Sequence, residues 1–356
     1  MTSLDMPGSL DEIDAAFVGG LIRQVHPDAE LTGVEIDGEI HGTATKARLV
    51  LTYSRSAGAP PVVWMKAGYE PHSTILAGAG IYALEPRVYA ELLPDLPMSA
   101  PRHHGAVYDE ASGAGIVLIE DLGPFATLNT PKSAISVDEV RAMLALLAKM
   151  HAATAAPGWL EARPWIRANF GDFGETDSYL TYMAEPANLQ RFLGWPRAAD
   201  YPRAMFDPLA LHLAMQKIGA WARRPRTACM IHGDAHVGNS YRDARGEPGL
   251  LDWQCVRRSG WAYDVAYYMV SVLTTEDRRR LERDLLRGYL EQLAESGGPR
   301  PSWDEAWDDY LVCLAYGFVA WLSNSTTFQP EEYNAIVSTR FAWAMVDHGT
   351  IGKVHR

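Results

Sequence analysis

The hydrophobic pattern of this 356-residue chain changes about a third of the way along, and that change limits the folds available to it. Before this point, short apolar runs are separated by turn-rich connections such as SRSAGAP, which is typical of antiparallel strands. After it, Val140, Met143 and Leu147 recur at the spacing of one helix face. At roughly 150 residues per domain, the length also suggests two parts. We therefore predict an α+β chain with a β-rich domain over residues 1–122 and a helical domain over residues 123–356.

The first part is predicted to form an antiparallel sheet that one helix, over residues 81–93, interrupts. Ahead of the sheet, Ser9 and Glu12 have the spacing of a capping box, which predicts a short helix that runs to about Val25. The predicted strands cover residues 33–39, 46–53, 61–66, 105–109 and 115–121.

The second part is predicted to be mostly helical. Ser136 and Glu139 again have capping-box spacing at the start of a helix. Residues 230–253 are predicted to form a compact segment of short strands and loops. The further predicted helices cover residues 207–223, 261–273, 276–295, 303–324 and 330–347.

Acidic residues outnumber basic ones, since 44 Asp and Glu against 32 Lys and Arg give a formal net charge of −12. Such a surface repels phosphate backbones and anionic lipids, so we expect neither a nucleic acid nor a membrane as partner. The three cysteines are widely spaced and lack a C-x-x-C pair, which disfavours a disulfide framework and fits a reducing compartment. Because the N-terminus also lacks the basic-then-apolar order of a signal peptide, we expect a cytoplasmic protein. We expect the protein to be a monomer or a homodimer.

The densest polar cluster lies in residues 231–254, IHGDAHVGNSYRDARGEPGLLDWQ. Phosphoryl transfer needs a carboxylate that accepts a hydroxyl proton and oxygen ligands that hold Mg²⁺ against phosphates. Asp234 and Asn239 are five residues apart, which can place a base and a metal ligand at opposite ends of one loop. Asp252 follows a short apolar strand, where a second metal ligand can face that loop. The cluster therefore favours a phosphate-transfer site.

The pattern H-G-D-x-H-x-x-N followed by L-D-W resembles the signature of aminoglycoside phosphotransferases and of choline and ecdysteroid-type kinases, which are relatives of the protein kinases. The similarity extends in the same order over residues 38–270. It implies a bilobal protein-kinase-like fold, with an antiparallel sheet and one helix in the N-lobe and a mostly α-helical C-lobe. It also implies ATP as the phosphate donor, with GTP left open, and Mg²⁺ as cofactor.

The resemblance also implies roles for individual residues. Asp234 would be the catalytic base, and Asn239 and Asp252 would be the Mg²⁺ ligands. Lys66, in VVWMK, looks like the strand lysine that holds the α- and β-phosphates.

The ion-pair partner of Lys66 would be Glu85, which begins a stretch similar to the family's E-x-x-x-Tyr helix. Pro86 prefers the first turn of a helix and can place Glu85 at the helix entrance, so Glu91 stays open as the partner.

Further assignments follow from the same resemblance. The turn that contains Gly42 and Thr43 would cover the phosphates, although it lacks a full G-x-G-x-x-G. The hinge that receives the adenine edge would comprise Glu120, Asp121 and Leu122.

Three residues would support the catalytic loop. His232 is expected to orient the loop by hydrogen bonding, and Asp264 to tether it through backbone N–H groups. His236 either approaches the substrate or metal, or packs without a chemical role.

Two other function classes compete with a small-molecule kinase. A metallophosphoesterase also uses Gly-Asp and His residues, but its further ligand clusters, such as G-N-H and G-H-x-H, are missing from this sequence. A non-catalytic nucleotide-binding pseudokinase would not need a base, a phosphate lysine and two metal ligands together.

The acceptor is the least determined part of the prediction. Residues 157–206 contain ten aromatic residues, twice the average density of the chain, and in the resembled fold this insertion caps the acceptor side. We expect a neutral, partly apolar hydroxyl compound, because aromatic walls bury apolar surface well. Packing of these rings against the helical lobe, and an aminoglycoside or choline-type acceptor, are the alternatives. The predicted pocket residues are Trp165, Asp172, Phe173, Tyr182 and Trp195.

One acidic stretch could suggest a polycationic acceptor. It shares helical spacing with Trp303 and Trp307, which favours an amphipathic helix whose acids are solvated. The acids are Asp304, Glu305, Asp308 and Asp309.

Overall fold

The computed structural model divides into two compact units. The first unit takes in a short segment that is distant in sequence, so that residues 250–255 join residues 1–127. The second unit contains residues 128–249 and 256–356. The structure describes residues 5–71, 73, 80–176 and 178–351.

The first unit contains a five-stranded antiparallel sheet with the strand order β1-β2-β3-β5-β4, so β3 is central. Each predicted strand is confirmed to within three residues at its ends. One face of the sheet forms the core, where Leu49, Met65 and Leu118 are fully buried. The strands are β1 (Glu30–Ile40), β2 (Thr45–Arg55), β3 (Val62–Ala67), β4 (His103–Asp109) and β5 (Ala114–Glu120).

Two helices pack on this sheet, α1 (Ala15–Ile22) against β1 and β4, and α2 (Ile81–Glu91) against β4 and β5. The predicted capping box at Ser9 is wrong. Residues 10–12 form a single 3₁₀ turn, and the Glu12 carboxylate accepts the N–H of Gly8 (2.7 Å). Helix α1 begins later because the Asp14 side chain accepts the N–H of Phe17 (2.8 Å).

Pro86 lies inside α2 rather than in its first turn, which corrects the expectation from sequence. Proline has no N–H to donate to the carbonyl of Tyr82, four residues earlier. Gly115 of β5 lies against this carbonyl, and a Cβ at Gly115 would be only 2.4 Å from the Tyr82 oxygen. Glycine therefore permits the close approach of helix and sheet, and Glu85 is buried in the helix interior.

The second unit is mostly helical, and the five predicted helices from residue 207 onward are confirmed to within one residue. The capping box of Ser136 and Glu139 is also confirmed, because each side chain accepts the other residue's N–H. The helices are α3 (Val137–Thr154), α4 (Tyr179–Ala184), α5 (Pro186–Phe192), α6 (Pro208–Arg223), α7 (Ala262–Val272), α8 (Thr275–Glu295), α9 (Trp303–Ser323) and α10 (Glu331–Asp347).

Helix α9 packs against α6, α7 and α10, and β7 (Cys229–Ile231) pairs antiparallel with β10 (Arg257–Ser259). The α+β fold class is therefore confirmed. In the described part of the chain, no helix combines the length and apolarity that crossing a bilayer requires. The short strands are β6 (Ala126–Leu128), β7 (Cys229–Ile231), β8 (Ser240–Asp243), β9 (Pro248–Leu250) and β10 (Arg257–Ser259).

Candidate active site

Lys66, on the central strand β3, is ion-paired with Glu85 of α2, with Nζ 2.6 Å from Oε2. Both side chains are buried, and Glu85 Oε1 also accepts the N–H of Trp253 (3.0 Å). The Glu91 carboxylate instead accepts a hydrogen bond from Arg87 (3.1 Å). Of the two candidate partners, Glu85 is therefore the one that pairs with Lys66.

Asp252 gives Lys66 a second carboxylate, with Oδ1 2.6 Å from Nζ. Its other oxygen lies 3.8 Å from Nζ of Lys46 on β2, a residue that the sequence analysis missed. The φ angle of Asp252 is +68°, which is uncommon for a residue other than glycine. Strained backbone of this kind persists where its surroundings fix it, often at functional sites.

The charges of this cluster depend on one another. Burial by itself would lower the pKa of Lys66, but the carboxylates of Asp252 and Glu85 outweigh burial and raise this pKa above its usual value. Burial raises the pKa of Glu85, although Lys66 acts in the opposite direction. Lys66 is therefore a permanent cation at neutral pH, held by two acidic side chains.

The predicted phosphate turn is the connection between β1 and β2. The Tyr82 hydroxyl donates to the carbonyl of Thr43 (2.6 Å), and the Thr45 hydroxyl donates to Glu70 (2.7 Å). A Cβ at Gly42 would meet nothing within 4 Å, so packing does not require glycine there. Side-chain hydrogen bonds, rather than glycines, hold the shape of this turn.

The predicted hinge follows β5. The Asp121 side chain accepts hydrogen bonds from Trp64 Nε1 (3.1 Å) and Arg48 Nε (3.0 Å). Glu120 ends β5, and Leu122 is buried. The Asp121 carboxylate is therefore already hydrogen-bonded within the first unit. If Asp121 contacts the adenine base of a nucleotide, it would do so through its main-chain N–H or carbonyl.

In the second unit, Asp264 of α7 holds the start of the polar loop that follows β7. Its fully buried carboxylate accepts the N–H of His232 (2.6 Å) and of Gly233 (3.0 Å). Gly233 has a φ of +82°, a conformation that glycine adopts without strain. The next residue is Asp234, so Asp264 fixes the chain directly ahead of the predicted base.

Two buried residues that sequence reasoning missed extend this contact. His151 of α3 is hydrogen-bonded to Asp264 Oδ2 through Nε2 (3.2 Å) and to the Tyr289 hydroxyl through Nδ1 (2.8 Å). His151 is 0% exposed. The sequence did contain a signal for His151, because a histidine on the apolar face of a predicted helix indicates a buried polar contact.

Asp234 and Asn239 are brought together as their spacing predicts. Asn239 Nδ2 donates to both the carbonyl and Oδ2 of Asp234, at 2.9 Å in each case. This orientation leaves the carboxamide oxygen as the atom with which Asn239 would bind a cation. His232 Nδ1 accepts the N–H of Asp234 (3.2 Å), which further fixes the loop.

His236 lies between the loop and an aromatic wall. Its Nδ1 accepts the N–H of Gly238 (3.0 Å), and its Nε2 lies 3.7 Å from Asp234 Oδ2. The ring meets Tyr267 and Trp321 edge-on, with centroids 5.8 Å and 5.0 Å away. Sequence reasoning missed these two aromatic neighbours of His236.

Two of the predicted acceptor residues connect to this wall. Phe173 packs on Phe170, Phe170 on Tyr316, and Tyr316 on Tyr267, with ring centroids 5.5, 6.0 and 5.4 Å apart. Trp195 stacks on the guanidinium of Arg197.

Arg197 in turn joins the insertion to the end of α9. It is buried and donates to the carbonyls of Trp321 (2.9 Å) and Asn324 (2.8 Å). Among the other predicted acceptor residues, Tyr182 and Asp172 are exposed and Trp165 is half-buried. Phe173 and Trp195 are therefore joined to the rest of the second unit by ring and guanidinium contacts.

Within the described ranges, no group of three or more His, Cys, Asp or Glu side chains could hold a metal ion. The predicted ligand set is smaller, with one carboxylate from Asp252 and one carboxamide oxygen from Asn239. Carboxylate and carboxamide oxygens are ligand types that Mg²⁺ accepts beside waters and substrate phosphates.

Residues 75–304, well over half of the chain, match the phosphotransferase enzyme family. The chain belongs to this family. It is therefore a phosphotransferase, and the resemblance identified from the sequence is confirmed. The matched range of this phosphotransferase contains Glu85, Asp234, Asp252 and Asp264, and it begins after Lys66.

A comparison with curated proteins gives no match for this phosphotransferase. Solved structures with a similar fold include the choline kinase LicA from Streptococcus pneumoniae, at 13% identity and a TM-score of 0.48 over 91% of this chain and 97% of that one. An aminoglycoside phosphotransferase, APH(3'')-Id from Streptomyces rimosus, has 17% identity and a TM-score of 0.45 over 88% and 100%. The macrolide 2'-phosphotransferase MphH from Brachybacterium faecium has 15% identity and a TM-score of 0.42 over 88% and 95%. The assignment to the family rests on the sequence match.

Proposed function

We propose that this phosphotransferase transfers the γ-phosphate of ATP, with Mg²⁺, to a hydroxyl group of a neutral, partly apolar small molecule. The observation that carries the proposal is the buried Lys66, held by Glu85 at 2.6 Å and Asp252 at 2.6 Å. Burying a lysine costs free energy unless it is paired, so a paired and fixed cation fits a role in phosphate binding. Glu85 would keep Lys66 in place for the α- and β-phosphates.

Asp252 and Asn239 would bind Mg²⁺, which would neutralise charge on the phosphate oxygens. The phosphoryl transfer itself would use Asp234, in the second unit, as the base. The hydroxyl oxygen of the acceptor attacks the γ-phosphorus, the bond from that phosphorus to the bridging oxygen breaks, and ADP leaves with the electron pair. The hydroxyl proton passes to Asp234, whose carboxylate is oriented by Asn239 (2.9 Å).

The surroundings of His236 support a neutral, partly apolar acceptor. Its ring neighbours include Tyr267 and Trp321, and Trp321 lies near the end of α9. The acidic residues of α9 lie in its first two turns, and the last of them, Asp309, precedes Trp321 by twelve residues, a rise of about 18 Å along the helix axis. These acids are therefore far from the loop that carries Asp234, whereas a polycation would need carboxylates close to it.

The test is a panel of hydroxyl compounds with purified protein, followed by coupled ADP release and by phosphorus NMR of the product. We expect phosphorylation of a neutral compound with apolar surface, dependent on Mg²⁺. The Asp234→Asn variant should bind ATP normally and lose about 10²–10⁴-fold in turnover, the usual range for a positioned base. Asp304→Asn, a matched change at an exposed carboxylate, should keep full turnover.

Two results would contradict the proposal. Wild-type turnover in Asp234→Asn would remove the base from the mechanism. Aminoglycosides as the best acceptors would overturn the assignment of a neutral, partly apolar substrate.

A further inference from the structure

Lys46 and Lys66 face each other directly across the pair β2 and β3. Side chains at directly opposite positions project from the same face of a sheet, and like charges placed this way destabilise it. The neighbouring positions Ala47 and Met65 are fully buried on the other face, in the core. The two lysines therefore share the face of the sheet that lies away from the core.

Asp252 compensates this repulsion within the first unit. Its Oδ1 is 2.6 Å from Nζ of Lys66, and its Oδ2 is 3.8 Å from Nζ of Lys46. The two contacts differ in character. The Lys66 side chain is 5% exposed and fixed by Glu85, whereas the Lys46 side chain is 35% exposed and its contact is long. Lys46 is therefore held less tightly against Asp252 than Lys66 is.

We propose that Lys46 is a second phosphate-binding lysine, which rests against Asp252 in the absence of nucleotide and turns to the phosphates when Asp252 becomes a metal ligand. The inference rests on the proposed function, since it assumes that a nucleotide triphosphate with Mg²⁺ binds to this cluster. It adds a residue to the binding site that neither the loop signature nor the family match contains, because residue 46 precedes the matched range.

The neighbouring turn explains why a second cation is useful. A glycine-rich loop binds phosphates through backbone N–H groups, but this turn has Gly42 and no further glycine before β2. Its shape is set by hydrogen bonds from Tyr82 to Thr43 and from Thr45 to Glu70. Lys46 lies directly after this turn. Its positive charge can attract the phosphates, which the backbone N–H groups of a glycine-rich loop do in other nucleotide-binding proteins.

Charge balance leads to the same conclusion. Lys46 and Lys66 together cancel the charges of Glu85 and Asp252, which gives a cluster with no formal net charge. Without Lys46, the cluster would carry one negative charge and would repel an anionic metal–nucleotide complex. Loss of Lys46 should therefore weaken the binding of a nucleotide more, the more negative charge that nucleotide carries.

The test is isothermal titration calorimetry of MgATP, MgADP and adenosine with the full-length protein, which needs no acceptor. Lys46→Met should weaken MgATP binding about 10-fold, MgADP binding less, and adenosine binding not at all. Lys46→Arg, which keeps the charge, should restore most of the MgATP affinity. Arg55→Met, at the far end of the same strand and paired with Glu30 (2.8 Å), should bind all three ligands as wild type does.

Three results would overturn the inference. If Lys46→Met binds MgATP like wild type while Lys66→Met does not, Lys46 only balances charge, and the proposed function stands. If Lys46→Met loses adenosine as strongly as MgATP, the residue acts on folding rather than on phosphate. If neither lysine variant changes MgATP affinity, the nucleotide assignment of this cluster fails together with the inference.

Discussion

His151 and Asp264 are both completely buried, and Nε2 of the histidine lies 3.2 Å from Oδ2 of the aspartate. The same carboxylate accepts the N–H groups of His232 and Gly233, so His151 contacts the group that anchors the loop ahead of Asp234. A buried carboxylate needs its hydrogen-bond donors, because water cannot replace them. We therefore predict that His151 positions this loop, which lies about 80 residues further along the chain.

We predict that His151→Phe destabilises the protein by about 2–4 kcal/mol, because it leaves Asp264 and the Tyr289 hydroxyl without a shared partner. Urea unfolding measures this loss. Hydrogen exchange should show faster exchange at the amides of His232 and Gly233 in the variant. Tyr289→Phe, which keeps the contact of His151 with Asp264, should cost only about 1 kcal/mol and leave these amides protected. Equal protection of the two amides in His151→Phe would contradict the positioning role.

Removal of the Asp252 carboxylate should separate nucleotide binding from metal binding. In wild type we expect Mg²⁺ to increase ATP affinity, because Asp252 provides a hard oxygen ligand. In Asp252→Ala the increase should disappear, and Asn239→Ala should reduce it. Titrations of ATP with and without Mg²⁺ measure both effects, and Asp243→Ala on β8 is a control carboxylate outside the cluster. Equal MgATP affinity for wild type and Asp252→Ala would exclude Asp252 as a ligand.

The aromatic wall beside His236 should determine how well the acceptor binds. We predict that Trp321→Phe raises the acceptor KM about 5–10-fold, with little change in the KM for ATP, because a smaller ring leaves part of the apolar contact unfilled. Trp303→Phe is the matched control, since it makes the same change at the other end of α9. Steady-state kinetics with the best acceptor measures both. An unchanged acceptor KM in Trp321→Phe would show that this wall does not contact the substrate.

A pair of histidines should make the first unit sensitive to acid. His104 Nδ1 lies 3.1 Å from His26 Nε2, and burial, followed by the neighbouring His26, lowers the pKa of His104 to about 4. In the unfolded chain this pKa is about 6.5, so the unfolded state binds more protons between pH 6.5 and 4. The stabilising effect of neutral His104 is therefore complete above pH 6.5 and is lost as the pH falls through this window.

The measurement is the free energy of unfolding of wild type and His104→Phe between pH 7.5 and 4. The wild type should lose about 1–2 kcal/mol more than the variant over this range. His41→Gln is a control of opposite sign, because the hydrogen bond with Glu70 raises the pKa of His41. Parallel pH profiles of wild type and His104→Phe would show that this pair does not cause the sensitivity.

Local sequence determined most strands and helices and the order of residues in the polar loop. The capping box at Ser136, the helical periodicity that follows it, and the turn-bounded strands depend on residues a few positions apart, and all were predictable. The contact of Asn239 with Asp234 is of the same kind, since a spacing of five residues fits one short loop. The range that matches the phosphotransferase family, residues 75–304, contains this loop.

Tertiary structure decided the contacts that join distant segments. Glu85 rather than Glu91 pairs with Lys66 because α2 begins at Ile81 and takes Pro86 into its interior beside Gly115. Lys46 reaches the cluster only through the register of β2 on β3. His151 reaches Asp264 only when α3 and α7 pack together. Each of these contacts depends on how elements that are far apart in sequence pack together. Hydrophobic periodicity and motif spacing describe residues that are close in sequence, so they do not predict such contacts.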